Sequence, residues 1–316
     1  MKIGEINMGF KEEVLKCLGT FPEPCELNAR VVSTKELDTH VLQLVQYNVE
    51  KDDRISAWLL IPKNIKGKAP AIIASHQHAG EFYLGKSEPA GLSRNKMYHY
   101  GLDLCLRGFV VLCPDHLGFE DRRPPEYQRK ENPHIDGEGY ERILFFKYLS
   151  YGSSLQAKYL SDLTRGVDFL ESLDYVDSSR IGAIGHSLGG QETMWLTWFD
   201  KRIKAAVCSC GISQMKSIFR DNINHNFAMY SFGILNVGDI ADLVCDIAPR
   251  PFMMTSGSSD YIFPMDGVME IREKAEKKYK ELGVSDHFRS VLFNGGHSFP
   301  DDVKDKAYDF LDRFLK

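Results

Sequence analysis

Six short, mainly apolar runs punctuate the chain from residue 71 onward: Ala71–Ala74, Phe109–Cys113, Ile181–Ile184, Ala205–Cys208, Phe252–Thr255 and Phe288–Phe293. A run without alternation suits a strand covered on both faces, which is the usual state of parallel sheets. Ahead of the third run, Leu155, Tyr159, Leu163, Val167 and Leu170 recur at helical spacing, with Ser153 or Ser154 as a cap. Val303, Ala307, Phe310, Leu311 and Phe314 repeat that spacing at the end, and 265–282 is charged and helix-favouring. Strand and helix alternate, so the spacing predicts an α/β fold with a mostly parallel sheet of roughly eight strands and helices on both faces. Val41–Val49 and Arg54–Ile61 alternate instead and predict an antiparallel pair at the start. Two stretches, 120–146 and 213–242, break the rhythm without any linker-like composition. They are expected to be lid or pocket pieces of one domain spanning 1–316.

Composition narrows the function classes. Of 316 residues, 43% are hydrophobic and 26% charged, enough for a sizeable core and too apolar for a disordered chain. The net charge is −5 and no basic run of five occurs, which argues against nucleic acid as a partner. No run approaches a membrane span of ~20 apolar residues, and the opening MKIGEINMGFKEEVLKCLG has no secretory pattern. The expectation is a cytoplasmic protein with no membrane partner; the residues do not fix its oligomeric state. Seven scattered cysteines predict free, mostly buried thiols. Cys208 and Cys210 read as core packing before a metal or redox pair.

The most specific motif is Gly185-His186-Ser187-Leu188-Gly189, which follows a buried run and precedes the helical stretch Gln191–Phe199. A serine between strand and helix sits on a tight turn that needs small neighbours and lifts its hydroxyl above the sheet edge. The Leu188 N–H, at the helix start, would face a developing oxyanion. Serine needs a base, and the base needs a carboxylate to hold its tautomer. Asp260 follows the fifth run and His297 the sixth, so in a parallel sheet both loops emerge at the carboxyl edge beside Ser187. Asp266 reads as helix-start capping, and His287 precedes its strand and lies at the wrong edge. The second oxyanion donor is expected from Ser75-His76-Gln77-His78-Ala79-Gly80, from Gln77 or His78.

These residues, with Pro114-Asp115-His116-Leu117-Gly118-Phe119, Ala248-Pro249-Arg250-Pro251 and Gly296-His297, give a chain that resembles the α/β-hydrolases of the dienelactone hydrolase and acetyl xylan esterase-like group. The likeness covers roughly 50–316. It implies hydrolysis of carboxylic esters through an acyl-enzyme, with Ser187 as nucleophile, His297 as base, Asp260 as orienting acid, and no cofactor or metal. Dienelactone hydrolases proper use a cysteine, so Ser187 makes a serine esterase the nearer analogy. The expected substrate is a small or medium ester, an acetyl ester among them.

Other readings stay beside this one. His76 and His78 form an H-x-H pair, which on a strand end can hold a metal, so a metal-dependent hydrolase is an alternative. A serine peptidase of the same fold is another, and a non-catalytic ligand-binding protein on that fold a third. His76, His186, Phe227 and Tyr230 are the expected substrate contacts. Arg122 and Arg123 either position substrate or pair with Glu120 and Asp121, and Arg165 and Asp162 read as an ion pair or a solvated face.

Overall fold

The computed structural model of the chain describes residues 9–23, 25–63 and 65–316. Residues 1–8, part of the opening segment read above for a secretory pattern, lie outside the described residues. Nine strands form one sheet: β1 (Arg30–Glu36), β2 (His40–Glu50), β3 (Asp53–Pro62), β4 (Ala69–Ser75), β5 (Val110–Pro114), β6 (Val176–His186), β7 (Ile203–Ser209), β8 (Phe252–Gly257) and β9 (Phe288–Phe293). Their order is β1-β2-β3-β5-β4-β6-β7-β8-β9. Pairings up to β3–β5 are antiparallel and the rest are parallel. All six apolar runs and both alternating segments lie in strands, except that Phe109 stands one residue ahead of β5. The strand missed by the sequence is β1, whose seven residues are all exposed; with neither face buried, its side chains carry no hydrophobic pattern.

Among the described residues ten α-helices accompany the sheet: α1 (Phe10–Leu18), α2 (Tyr100–Leu106), α3 (Glu126–Glu131), α4 (Gly137–Ser150), α5 (Leu155–Glu171), α6 (Leu188–Phe199), α7 (Met215–Arg220), α8 (Ile240–Ile247), α9 (Met265–Glu281) and α10 (Asp301–Leu315). Among the described residues no single helix is long and apolar enough to cross a membrane. Neighbouring strand residues feed opposite cores, as the period of two requires. Ile73, Leu112 and Ala183 face α5, α6, α8 and α9 through Leu163, Met194, Val244 and Ile271. Ile72, Val111 and Ile184 face α2 and α10 through Leu104 and Leu311. Each such aliphatic side chain taken fully out of water contributes about 1.5–3 kcal/mol. The cap of α5 is Ser154, whose hydroxyl accepts the Ala157 N–H at 3.0 Å and donates to Leu18 O at 2.8 Å.

Both excursions fold back over the carboxyl edge. The first carries α3 and α4, and the second carries α7, two short 3-10 turns and the start of α8. Two charge networks lie beneath the first excursion. Lys86 holds Asp115, Glu120 and Asp121, while Arg122 is buried against Asp53 and Asp162. Arg122 is thus committed to the interior, and Arg123 pairs with Asp136, so neither pairs with Glu120 or Asp121. Asp162 takes Arg122 and Lys158, while Arg165 pairs with Asp168.

Parallel register sets five strand ends level with one another: Ser75 beside Gly185, Gly185 beside Cys208, Ser209 beside Thr255, and Gly257 beside Phe293. The loops after β4, β6, β8 and β9 therefore open onto one edge of the sheet.

Candidate active site

Ser187 stands between the last residue of β6 and the first of α6 with φ +57° and ψ −121°. That left-handed backbone is costly for a side-chain-bearing residue and is typical of a strained functional turn. Two bonds hold it: Ser187 N–H donates to Ser209 O at 2.8 Å, and Gln191 N–H donates to Ser187 O at 2.9 Å. The flanking glycines are dictated by space. A Cβ on Gly185 would lie 2.2 Å from Gly189 O, and one on Gly189 would lie 2.0 Å from Ser75 O. The turn is thus wedged directly against the loop that follows β4.

His297 Nδ1 lies 2.7 Å from Asp260 Oδ2, and Asp260 Oδ1 accepts the Ile262 N–H at 3.2 Å. Because the carboxylate only accepts, the ring donates from Nδ1 and keeps its lone pair on Nε2. Asp260 is almost wholly buried and His297 is 18% exposed, so the pair has one open end. The imidazole is packed between His186, 4.8 Å away, and Phe263, 5.7 Å away. Ser187 and His297 line one cavity of about 330 Å³, together with His78, Glu141, Phe227 and Tyr261. Its remaining polar wall is Glu138, Asn224, His225 and Asn226.

The predicted site residues divide into two sets. Ser187, His297, His78 and Phe227 meet at this cavity, with Asp260 behind His297 and Leu188 opening α6. As the first helical residue Leu188 has no intrahelical acceptor for its N–H. Gln77 turns the other way: its side chain donates to Glu88 Oε1 at 2.7 Å and its backbone N–H faces Glu88 Oε2 at 3.4 Å. Burial pushes Glu88 up to about 7, against the pull of the Gln77 amide.

His76 and His186, expected at the substrate, are fully buried and away from the cavity wall. His76 Nδ1 lies 2.8 Å from Gln77 O, so it donates, while Nε2 accepts the His116 N–H at 3.1 Å. Both nitrogens are spent, and burial pushes the ring down to about 4. His76 therefore offers no lone pair for an H-x-H metal site with His78. His186 Nδ1 meets Ser209 Oγ at 3.0 Å, and burial holds this ring well below the ordinary histidine range. Tyr230 also leaves the cavity: its hydroxyl accepts the His225 N–H at 3.2 Å and so braces a cavity residue from behind. Asp266 sits in the first turn of α9 and pairs with Arg220.

Among the described residues one group of three metal-capable side chains occurs, Cys210, Asp260 and His297. It coincides with the Asp260–His297 hydrogen bond, and burial, followed by the Asp260 charge, pushes the Cys210 thiol up to about 12.

Sequence reasoning missed Glu141. It lies on α4 with its side chain 2% exposed, and it meets His78 Nε2 at 3.0 Å and the Phe227 N–H at 3.2 Å. A single buried carboxylate on a helix of mixed polarity leaves no periodic signal.

The chain is similar to several known proteins. YtaP of Bacillus subtilis, provisionally named a hydrolase, is 26% identical over 308 residues, covering 96% of this chain and 98% of its own. A glucuronoyl esterase from Solibacter usitatus superposes with a TM-score of 0.73 at 16% identity, covering 97% of this chain and 92% of that one. Acetyl xylan esterase 1 from Thermoanaerobacterium gives 0.63 at 16% identity, covering 96% and 98%. At such identities the likeness to both structures is one of fold, the α/β-hydrolase fold. The profile of the prolyl oligopeptidase family matches residues 153–316, just over half of the sequence and the half that carries Ser187, Asp260 and His297. The chain therefore belongs to the prolyl oligopeptidase family, on the α/β-hydrolase fold, and is a serine hydrolase.

Proposed function

We propose that the protein hydrolyses small or medium carboxylic esters through an acyl-enzyme on Ser187. The observation that carries this reading is the Asp260–His297 pair, 2.7 Å apart, whose open imidazole edge shares a cavity with a serine on a strained strand-to-helix turn. In this reading Ser187 Oγ attacks the ester carbonyl as His297 Nε2 takes its proton, and Asp260 stabilises the resulting imidazolium. The tetrahedral oxyanion rests on the N–H groups of Leu188 and His78; the Gln77 N–H, turned to Glu88, is the weaker candidate. His297 returns the proton to the leaving alcohol, and water then repeats the sequence on the acyl-enzyme.

The cavity supports a compact, polar ester over a long fatty one. Its volume is about 330 Å³ and its wall mixes Phe227 and Tyr261 with Asn224, His225, Asn226 and Glu138. Acetyl esters of hydroxyl-rich alcohols fit that description, and the fold relatives whose names specify acetyl xylan and glucuronoyl esters are consistent with it. The family name favours a second reading, a serine peptidase working through the same three residues.

One experiment separates them. Wild type and Ser187→Ala are given a chromogenic acetyl ester and a panel of peptide anilides, with mass detection of an acyl adduct. Turnover of the ester, an adduct on the Ser187 peptide and inertness of the alanine variant are expected. Turnover confined to the anilides would replace esterase by peptidase, and activity surviving in Ser187→Ala would overturn both.

A further inference from the structure

Glu141 is a buried carboxylate in apolar company: α4 sets it beside the cluster of Phe82, Phe119, Leu144, Tyr159 and Leu188. Among the described residues no lysine or arginine pairs with it. Burying a carboxylate without a cation is expensive unless hydrogen bonds replace its water. Here two donors do so, and each comes from a different wall of the cavity. His78, on the loop after β4, approaches Oε2 at 3.0 Å, and the Phe227 N–H, on the second excursion, approaches Oε1 at 3.2 Å.

The state of the His78 ring follows from its other nitrogen. Nδ1 accepts the Gly80 N–H at 3.0 Å, so Nδ1 carries no proton and Nε2 donates to Glu141. The ring is pinned at both nitrogens and gripped edge-on by Phe82 at 4.7 Å and Phe119 at 5.2 Å. A side chain held at four points restrains its own Cα, and with it the placement of the His78 N–H.

We propose that Glu141 is a positioning residue for the oxyanion hole: by holding the His78 ring it aims the His78 N–H at the reacting carbonyl. This rests on the reading of His78 as an oxyanion donor. A packing role alone would not need a charge, since an apolar residue would fill the same space without the cost of desolvation.

The test uses the full chain as wild type, Ser187→Ala, Glu141→Ala, Glu141→Gln, His78→Ala and the double variant Glu141→Ala/His78→Ala. For each, kcat and KM are measured on a chromogenic acetyl ester, with the affinity of a boronic acid that forms a tetrahedral adduct on the serine. Glu141→Ala is expected to lower kcat by ~10- to 100-fold, a fraction of the ~100- to 1,000-fold that accompanies complete loss of a donor. KM changes by less than about threefold, and boronate affinity falls in parallel with kcat/KM. Glu141→Gln, whose single amide oxygen still accepts from His78 while its NH2 is left facing the Phe227 N–H, recovers part of kcat.

The double variant is no slower than His78→Ala, because Glu141 acts through that ring. Additive losses in the double variant, a Glu141→Ala effect on KM alone, or unchanged kcat would overturn the inference. Should Glu141→Ala fail to fold, His78→Ala decides: it keeps the backbone N–H, so an unchanged kcat there also overturns it. Ester hydrolysis that survives in Ser187→Ala would overturn the underlying reading and the inference with it. Inert Ser187→Ala beside an unimpaired Glu141→Ala would overturn the inference alone.

Discussion

Gly189 is the point where the serine turn and the oxyanion loop touch, and a single methyl group there should pry them apart. A Cβ at 189 would lie 2.0 Å from Ser75 O, 2.6 Å from Ser75 C and 2.7 Å from His76 O. All three are backbone atoms, so no side-chain rotation relieves the clash. Restoring ordinary carbon–oxygen contact requires the loop after β4 to retreat from α6 by about 1 Å. The Leu188 and His78 N–H groups would then straddle a gap too wide for one oxyanion, which needs both donors about 2.7–3.1 Å away.

A misplacement of about 1 Å is worth roughly 100-fold, and full loss of one donor ~2.7–4 kcal/mol, so Gly189→Ala should lower kcat by ~100- to 1,000-fold. Overpacking of this kind costs only ~1–3 kcal/mol of stability, so the protein should still fold. Gly190→Ala is the control: its Cβ would lie 2.8 Å from Ser209 O and 3.1 Å from Gly211 Cα, on the side away from the oxyanion loop. Initial rates on an acetyl ester, together with urea midpoints, compare the two variants. If Gly189→Ala folds yet keeps kcat within about threefold of wild type, the assignment of the oxyanion hole is wrong.

Three further outcomes are expected. Asp260→Asn should cut kcat by ~10,000-fold, because an amide can donate to Nδ1 and so favour the wrong tautomer of His297; a loss under tenfold in steady-state assay would remove Asp260 from the mechanism. Glu192, wholly buried on α6 and hydrogen-bonded to Gln156 and Gln191, is pushed up to about 8 by burial. The folded state thus holds a proton that the unfolded chain releases above about pH 4.5, so stability falls by up to a few kcal/mol as pH rises from there to 8. Glu192→Gln should flatten that slope to the part that Glu88, also raised by burial, still contributes, read from denaturation midpoints at pH 5, 6.5 and 8; equal slopes in both proteins would refute it. Finally, exhaustive dialysis against EDTA should leave ester turnover unchanged, and a loss restored by zinc would return a metal to the mechanism.

How much of this was legible in the sequence follows from what each signal depends on. Ala71–Ala74 and Ile181–Ile184 announce strands because both their faces are buried, and Leu155–Leu170 announces a helix because one face is; burial writes itself into residue type. Ser187, Asp260 and His297 could be placed at one edge because topology alone carries each loop to the carboxyl end of a parallel strand. The contents of the cavity wall were harder to read. His76 and His78 look equivalent in sequence, two residues apart on a strand end, yet one is locked in the interior between Gln77 O and the His116 N–H while the other faces the cavity. What separates them is the turn after Ser75, where strand alternation ends and no pattern replaces it. Glu141 is the extreme case: its partners lie 63 and 86 residues away along the chain, on the oxyanion loop and the second excursion. Its burial is meaningful only after the two excursions have folded over the same edge. The sheet is encoded locally and can be read residue by residue. The groups proposed to tune an oxyanion hole above Ser187 are encoded by the meeting of separate segments, so Gly189 and Glu141 are where substitution should test the proposed chemistry most sharply.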